Sequence, residues 1–291
     1  MAKRQTKRDS IMRFHSALVH ELRQQLLRYS KLRSVGQLGL GLLWLVGAGA
    51  SATIVPSIGV SLAAFSQSSD DDAKIAKSLA TMLRAGRTVI SRHQDRINDP
   101  NIADKGLDGK TVLAEAVKIY QEATGIDPVT IDAASRHGKL LRMQMDSIVE
   151  VIDAHRETLN RQGVGFKGFI PAVFGRLVNE AFGRRAVGIA EMKVTAPPQF
   201  IRNARAKPDE WESEVIRDKL MSPAWPKDQP FVAVLETKGR AVHRTAVPEY
   251  YGRTCLTCHG SPQGEIDITG YPKEGGNEGD LGGVISITLY R

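Results

Sequence analysis

The longest feature of the hydropathy pattern is an uncharged run near the amino terminus. No charged residue lies between Val35 and Ser69, and much of the run is apolar. About 20 residues of helix span the hydrocarbon core of a membrane. The pattern therefore predicts a transmembrane anchor over residues 34–66, even with a break near Pro56.

Basic residues are concentrated just before this run. Residues 1–33 carry nine Lys and Arg side chains against two acidic ones, a net +7 of the formal +8 of the whole chain. Since basic flanks stay in the cytoplasm, we expect a cytoplasmic tail over 1–33, one pass through the inner membrane and an extracytoplasmic remainder. A cleaved signal peptide, cut near Ala48 or Ala63, is the alternative. The charge is explained by the membrane flank, so no nucleic-acid partner is expected.

Between residues 70 and 163 the apolar positions repeat at helical spacing. Asp70-Asp71-Asp72 is expected to cap the first of these helices. Their apolar stripes show that each helix buries one face. Such stripes agree with three roles of these helices: they can form a dimer, pack on the following domain, or hold that domain away from the membrane. The helices are expected over residues 70–98, 110–123 (closed by Gly125) and 138–162, with another starting near Asp127.

After Phe166 the pattern changes to short runs between Gly and Pro breakers. Short strands with interleaved helices indicate the α+β class, built around an antiparallel sheet. We therefore expect a helical region over 70–137 and a second domain over 138–291. The expected strands are Ala190–Thr195, Phe231–Glu236, Ala241–Ala246 and Val284–Tyr290, with helices over Phe169–Phe182 and Trp211–Met221.

Both cysteines of the chain lie in one segment, Cys255-Leu256-Thr257-Cys258-His259. This C-x-x-C-H order is the signature of c-type haem attachment. The two thiols can add to the two vinyl groups of one porphyrin, and His259 then lies beneath the ring as the proximal iron ligand. We therefore expect one covalent haem c. Such attachment takes place outside the cytoplasm in bacteria, in agreement with the topology expected from the charges.

Three other interpretations of the two cysteines remain open. A thioredoxin-like dithiol needs a strand-to-helix junction in a βαβ unit, and the Gly/Pro-rich stretch from Pro248 to Gly283 shows no such pattern. A structural zinc site needs four ligands, and no second Cys/His pair exists. A disulfide between Cys255 and Cys258 would close a very small, strained loop.

Several segments of the second domain together resemble a known family. These are Gly165–Pro171, Arg202-Asn203, Lys207–Glu212, Cys255–Gly260 and Gly279–Ser286. They resemble the extracytoplasmic single-haem-c domains with a PAS-like fold, catalogued as domain of unknown function 3365, over roughly residues 138–291. The resemblance implies a five-stranded antiparallel sheet with flanking helices and a covalent haem at Cys255 and Cys258. Members stand alone or precede signalling modules and are regarded as redox or small-ligand sensors.

The other haem contacts are less well specified by the sequence. A distal iron ligand cannot be a cysteine, because both thiols are used by the thioethers. Anionic haem propionates usually pair with Arg, Lys or Tyr. The distal candidates are His243, His155 and Met192, then His137, Met143, Met145 and Lys167, or no protein ligand; the propionate candidates are Arg253, Arg244, Arg202 and Tyr271.

These features favour a membrane-anchored extracytoplasmic monohaem cytochrome that transfers electrons to a redox partner protein. The alternative is a sensor of redox state or of a diatomic ligand. Because the tail of 33 residues carries no recognisable kinase or cyclase module, a sensor would signal through a separate partner. A haem enzyme such as a peroxidase and a non-haem thiol oxidoreductase are the remaining options. A homodimer is compatible with the helical region.

Overall fold

The computed structural model describes residues 62–237 and 239–291 of the chain. The expected basic tail and most of the expected anchor lie outside the described residues. Among the helices that are described, none is both long and apolar enough to cross a membrane. The fold is α+β, with helices first and an antiparallel sheet after them. The α-helices are α1 Leu62–Arg92, α2 Gln94–Asn98, α3 Gly109–Thr124, α4 Arg136–Ala154, α5 Arg156–Asn160, α6 Pro171–Arg185, α7 Glu210–Val215 and α8 Leu256–His259, and the strands are β1 Ala190–Thr195, β2 Phe231–Thr237, β3 Arg240–Tyr250 and β4 Leu281–Tyr290.

The first helix begins before its expected cap, so the prediction that Asp70-Asp71-Asp72 caps it is wrong. Asp72 instead lies inside the fold, where its side chain is 3 % exposed. Its Oδ1 accepts a hydrogen bond from Arg136 Nη1 at 2.8 Å, and its Oδ2 accepts one from Arg291 Nε at 2.7 Å. A buried carboxylate requires such charged partners. Asp72 therefore joins α1 to α4 and to the end of the chain.

Local sequence signals place the ends of α3 and α4. The Asp108 side chain accepts a hydrogen bond from Thr111 N at 2.7 Å at the start of α3. Gly125 closes α3 in the left-handed conformation that glycine adopts without strain (φ 72°). The long helix expected over 138–162 is two helices, because the chain turns out of α4 at His155 before α5 begins.

The sheet has the strand order β1-β4-β3-β2, and every neighbouring pair is antiparallel. All four expected strands are present, with β3 extended to Tyr250. The described residues thus form four strands where the resemblance to the haem-c domains implies five. The chain between β1 and β2 is rich in proline, which cannot donate to a strand ladder, and it forms short helical turns instead.

The larger hydrophobic cluster, called the apolar core below, lies between the helices and one face of the sheet. Ile285, Ile287 and Leu289 alternate along β4, are fully buried and belong to the same hydrophobic cluster as the buried residues of α1, α4 and α6. The helical residues 70–137 and the residues after 138 contribute to this one core. A second, smaller cluster on the opposite face joins Val284 to α7 and the turn that follows it.

Candidate functional site

The C-x-x-C-H motif lies on the connection between β3 and β4, the site loop (residues 251–280). After β3 the chain forms a 3₁₀ turn, Arg253–Cys255, and then the single helical turn α8. The two cysteines are not bonded to each other, and both are partly exposed. The motif is therefore presented at the surface at one end of the central strand pair.

Two arginines of α1 anchor the end of β3 just before the motif. Arg84 Nη2 donates to Pro248 O at 2.6 Å, and Arg84 Nε donates to Glu249 Oε1 at 3.2 Å. Arg87 Nη1 donates to Glu249 Oε2 at 2.5 Å. Burial opposes ionisation of Glu249, but the two arginines outweigh it and lower the pKa of the carboxyl. The site loop thus starts from a point that is firmly tied to the helices.

The imidazole of His259 is held on two sides. Its Nδ1 lies 2.9 Å from Glu274 Oε2. Its ring stacks on Tyr251, with the centroids 5.0 Å apart and an interplanar angle of 17°. Nε2 has no hydrogen-bond partner among the described residues. The Nδ1 contact favours the tautomer with a proton on Nδ1, which leaves the Nε2 lone pair available to a metal.

Glu274 is held in turn by Arg202. Arg202 Nε donates to Glu274 Oε1 at 2.6 Å, and Nη2 donates to Oε2 at 3.0 Å. The same guanidinium donates through Nη1 to Asp267 Oδ2 at 2.6 Å and through Nη2 to the carbonyl oxygen of Cys258 at 2.7 Å. Bidentate pairs of this kind are the most geometrically specific that arginine forms. Arg202 therefore joins two acidic side chains to the backbone of the motif.

Asp267 closes the turn on the far side of Arg202. Its Oδ1 accepts hydrogen bonds from Thr269 N at 2.7 Å, Thr269 Oγ1 at 2.6 Å and Tyr271 N at 3.2 Å. The Asp267 carboxylate is fully buried, whereas Arg202 is 17 % exposed. The turn from 267 to 271 is thereby fixed against Cys258.

Charge is favoured throughout this cluster, although burial opposes it. Hydrogen bonds to Glu274 and Asp267 raise the pKa of Arg202 despite its burial. The pKa of Asp267 is lowered by Thr269 and Arg202, and the pKa of Glu274 is lowered by Arg202 and His259. The cluster is therefore one cation between two carboxylates at neutral pH.

Tyr251 packs so closely in the loop that two glycines are required around it. A Cβ at Gly276 would lie 2.7 Å from the Tyr251 ring, and one at Gly282 would overlap the ring. The ring also contacts Phe200, with centroids 5.8 Å apart. Its buried hydroxyl has no partner among the described residues, and burial raises the pKa of that hydroxyl.

The structure bears on the other interpretations of the cysteines. The motif connects two antiparallel neighbours, β3 and β4, whereas a thioredoxin-like dithiol belongs to a βαβ crossover. Burial and nearby Asp267 raise the pKa of the Cys258 thiol, the opposite of the shift that activates a nucleophilic cysteine. Among the described residues, no group of three or more His, Cys, Asp or Glu side chains is arranged to hold a metal ion.

The four residues expected at the haem propionates lie in different surroundings. Arg253 is on the turn that opens the motif and is 89 % exposed beside Glu278. Tyr271 is half-exposed on the site loop, with the Arg202 guanidinium 5.6 Å from its ring centroid. Arg202 is in the site, but the carboxylates of the protein already engage it. These three residues are brought together with the motif.

Arg244, the fourth of these residues, is not brought to the motif. It lies on the sheet face opposite the apolar core, stacked 4.2 Å above the Trp211 ring. Its Nη2 donates to Asp209 Oδ2 at 2.8 Å and to Glu212 Oε1 at 3.2 Å.

The leading distal candidates are likewise engaged away from His259. His243 is fully buried in β3 with Nε2 3.1 Å from Thr245 Oγ1. Tyr250 lies seven positions further along the strand, about 23 Å away at about 3.3 Å per residue, and the motif follows only after it. Met192 is buried in β1, and Gln144 Nε2 lies 3.7 Å from its sulfur. His155 Nδ1 lies 2.8 Å from the carbonyl oxygen of Val151 at the end of α4.

The secondary distal candidates also lie in the helical part. Met145 is buried in the apolar core and Met143 packs against it. His137 is half-buried on α4, and burial lowers its pKa. Lys167 donates to the carbonyl oxygens of Ile97 and Val164, both at 2.7 Å.

Sequence reasoning missed the residues that hold the motif in place. Glu274 is 15 residues from His259 within a Gly-rich stretch, and no spacing rule connects the two. Asp267 gave no signal because its partner, Arg202, is 65 residues away. Tyr251 had one weak signal, the glycines at 276 and 282, since glycines often mark close approach.

Comparison with known proteins gives one match. A family model described as Tll0287-like matches residues 67–289. The match includes the helical region 70–137, which the resemblance seen in the sequence does not reach. No curated protein and no solved structure matches the chain. Tll0287-like proteins are a monohaem c-type cytochrome family, consistent with the C-x-x-C-H motif and with the way His259 is held. The chain therefore belongs to the Tll0287-like family of haem c-binding proteins.

Proposed function

We propose that this protein carries one haem, bound covalently through Cys255 and Cys258 with His259 as an axial iron ligand, and that it transfers single electrons. The observation that carries the proposal is the state of His259. Its ring is fixed by Glu274 and Tyr251 while Nε2 has no partner among the described residues. A proximal haem ligand needs this arrangement, with one nitrogen held and the other available.

The residues of the motif fit a haem chemically. Each thiol S–H adds across one vinyl C=C bond: sulfur bonds to one carbon and the hydrogen goes to the other, so no oxidant or reductant is needed. Both cysteines are partly exposed and unpaired, as this addition requires. The buried Tyr251 hydroxyl has no partner among the described residues and can donate to an anionic group of the cofactor. When bound, the haem supplies an iron whose oxidation state changes by one electron.

Electron transfer is favoured because the motif lies at the surface. A carrier requires only that a haem edge be accessible to its partner, and a haem bound at the partly exposed Cys255, Cys258 and His259 would have such an edge. The charged cluster around Arg202 restrains the loop, which limits the reorganisation that accompanies a change of charge. The proposal includes the expected anchor over 34–66, a location on the extracytoplasmic side of the inner membrane and a redox partner protein.

A sensor of redox state or of a diatomic ligand is the second candidate function. It is favoured by the positions of His243, His155 and Met192, which have partners of their own in the fold. If none of them reaches the iron, the distal side can be open to a small ligand. Such a sensor would need a separate signalling partner.

The test is absorption spectroscopy of the full-length protein, produced together with a haem c maturation system. We expect a covalent haem. A low-spin reduced spectrum that CO does not change would show a second firm axial ligand and support electron transfer. High-spin character or rapid CO binding would favour sensing instead. A Cys255→Ser/Cys258→Ser variant is the control for covalent attachment. Wild-type protein without covalent haem would contradict the proposal and revive the dithiol alternative.

A further inference from the structure

The hydrogen bonds around His259 form a closed circuit. His259 Nδ1 meets Glu274 Oε2 at 2.9 Å, and Glu274 is held bidentately by Arg202. Arg202 returns to the motif through the carbonyl oxygen of Cys258, the residue before His259. The imidazole and the backbone that carries it are therefore both positioned by one guanidinium.

We propose that Glu274 is the positioning residue of the haem iron ligand: held by Arg202, it fixes the tautomer and the orientation of His259 and lowers the reduction potential of the haem. This inference rests on the proposed function and goes beyond it. From the sequence, Arg202 was expected to pair with a haem propionate. In the structure its guanidinium instead binds both carboxylate oxygens of Glu274.

Tyr251 and Glu274 fix different properties of the same ring. Stacking at 5.0 Å restrains the plane of the imidazole, but an aromatic face does not distinguish Nδ1 from Nε2. Only an acceptor at Nδ1 decides which nitrogen carries the proton. Glu274 is that acceptor, and its own position is restrained because Arg202 binds both of its oxygens.

The identity of the acceptor sets the direction of the effect. A carboxylate at Nδ1 makes the imidazole a more basic, more strongly electron-donating ligand than a neutral acceptor does. Stronger donation stabilises ferric over ferrous iron, so the reduction potential falls. Asp267 supports the same geometry from behind Arg202, at 2.6 Å from Nη1, without touching His259.

The experiment compares Glu274→Gln with Glu265→Gln in the full-length protein carrying haem. Glu265 is a matched control because it lies on the same loop, pairs with Lys273 and is half-exposed. We expect E274Q to raise the reduction potential clearly above that of wild type. E265Q removes the same charge from a solvated position, where screening leaves a much smaller shift. A purely structural role of Glu274 would lower stability without this difference in potential.

The outcomes are distinguishable from failure of the proposed function. Wild type without covalent haem overturns both, whereas wild type with haem and an E274Q potential no higher than that of E265Q overturns only the inference. If E274Q does not acquire haem, the inference is tested on the reduced wild-type protein by the solvent exchange of the His259 Nδ1 proton. Slow solvent exchange of the His259 Nδ1 proton supports the contact with Glu274, and exchange as fast as in free imidazole overturns it.

Discussion

The apolar core and the site loop differ in the interactions that hold them. The apolar core joins α1, α4 and α6 to the sheet in one hydrophobic cluster, which includes Phe174 and Ile148, both with no exposed surface. In the site loop, residues 251–280 are held mainly by hydrogen bonds and ion pairs centred on Arg202. Apolar burial is nondirectional, whereas bidentate hydrogen bonds specify orientation. The core therefore provides stability, and the loop provides the precise placement of one imidazole.

This difference teaches where mutations should act. A core substitution should lower the free energy of unfolding of the whole domain while each folded molecule keeps its site geometry. A loop substitution should alter the site while the helices and sheet stay folded, because local regions open with their own free energies. Three predictions test this separation.

The largest effect on stability is expected from Phe174→Ala. Phe174 is fully buried on α6 beside Phe169, with ring centroids 6.2 Å apart. Loss of the ring should lower the free energy of unfolding by about 3–5 kcal/mol, because a cavity remains. Urea unfolding followed by far-UV circular dichroism measures this. The control Val187→Ala, at a residue 76 % exposed, should change it by about 0.5 kcal/mol or less. A change in the reduction potential of folded F174A would contradict the separation.

A smaller and local effect is expected from Arg202→Ala. This change leaves the carboxylates of Asp267 and Glu274 without their cation. Removing one partner of a buried pair costs about 3–5 kcal/mol, and the lower end is expected here because Arg202 is 17 % exposed. The cost should appear as faster amide hydrogen exchange in residues 251–280, measured by mass spectrometry. Arg217→Ala, which removes an exposed pair with Asp218, is the control and should cost less than about 1 kcal/mol. Equally faster exchange in α4 would show that the loop and the core are one unit.

The smallest effect is a difference in acid sensitivity between the two regions. Burial and the charges of Arg291 and Arg136 lower the pKa of His243 in the apolar core, although Asp72 opposes them. As the pH falls, His243 is therefore protonated in the unfolded chain before it is protonated in the folded protein. The stability due to neutral His243 is thus fully present above about pH 6.5 and is lost as the pH falls through the folded-state pKa.

In the site loop the corresponding group is Asp267. Burial raises the pKa of Asp267, but the hydrogen bonds from Thr269 and Arg202 lower it by more, so the net shift is downward. The contribution of the Asp267 carboxylate to stability is therefore fully present above about pH 3.9 and is lost as the pH falls through the folded-state pKa. Urea unfolding between pH 7 and pH 3 should show a reduced loss below pH 6.5 for His243→Gln, and a reduced loss below pH 3.9 for Asp267→Asn. His93→Gln and Asp71→Asn are matched controls at less buried positions. Identical pH profiles for all four variants would refute the assignment.

The regular elements were largely predictable because their signals are local. The strands and α3 follow from alternation, helical spacing and the Gly125 terminator. Errors arose where a long-range contact overrode a local signal. Asp72 resembles a helix cap in sequence, but Arg136 and Arg291 hold it inside the fold, 64 and 219 residues away in the chain.

Of the candidate site, the sequence predicted only the residues that would bond to a haem, and not the residues that hold them in place. Cys255, Cys258 and His259 form a contiguous motif whose chemistry depends on spacing along the chain. The tail over 1–33, the anchor over 34–66 and the distal ligand stay predictions.

The sequence by itself determined the α+β class, the strands and the residues that can carry a haem. Periodicity and contiguous motifs depend only on residues that are close together along the chain. Only the tertiary structure decided how His259 is held. Arg202 lies 56 residues before Cys258, 65 before Asp267 and 72 before Glu274, and the fold makes it their neighbour. Hydrogen bonds act over about 3 Å, so no pattern in the sequence could have joined these groups before the chain had folded.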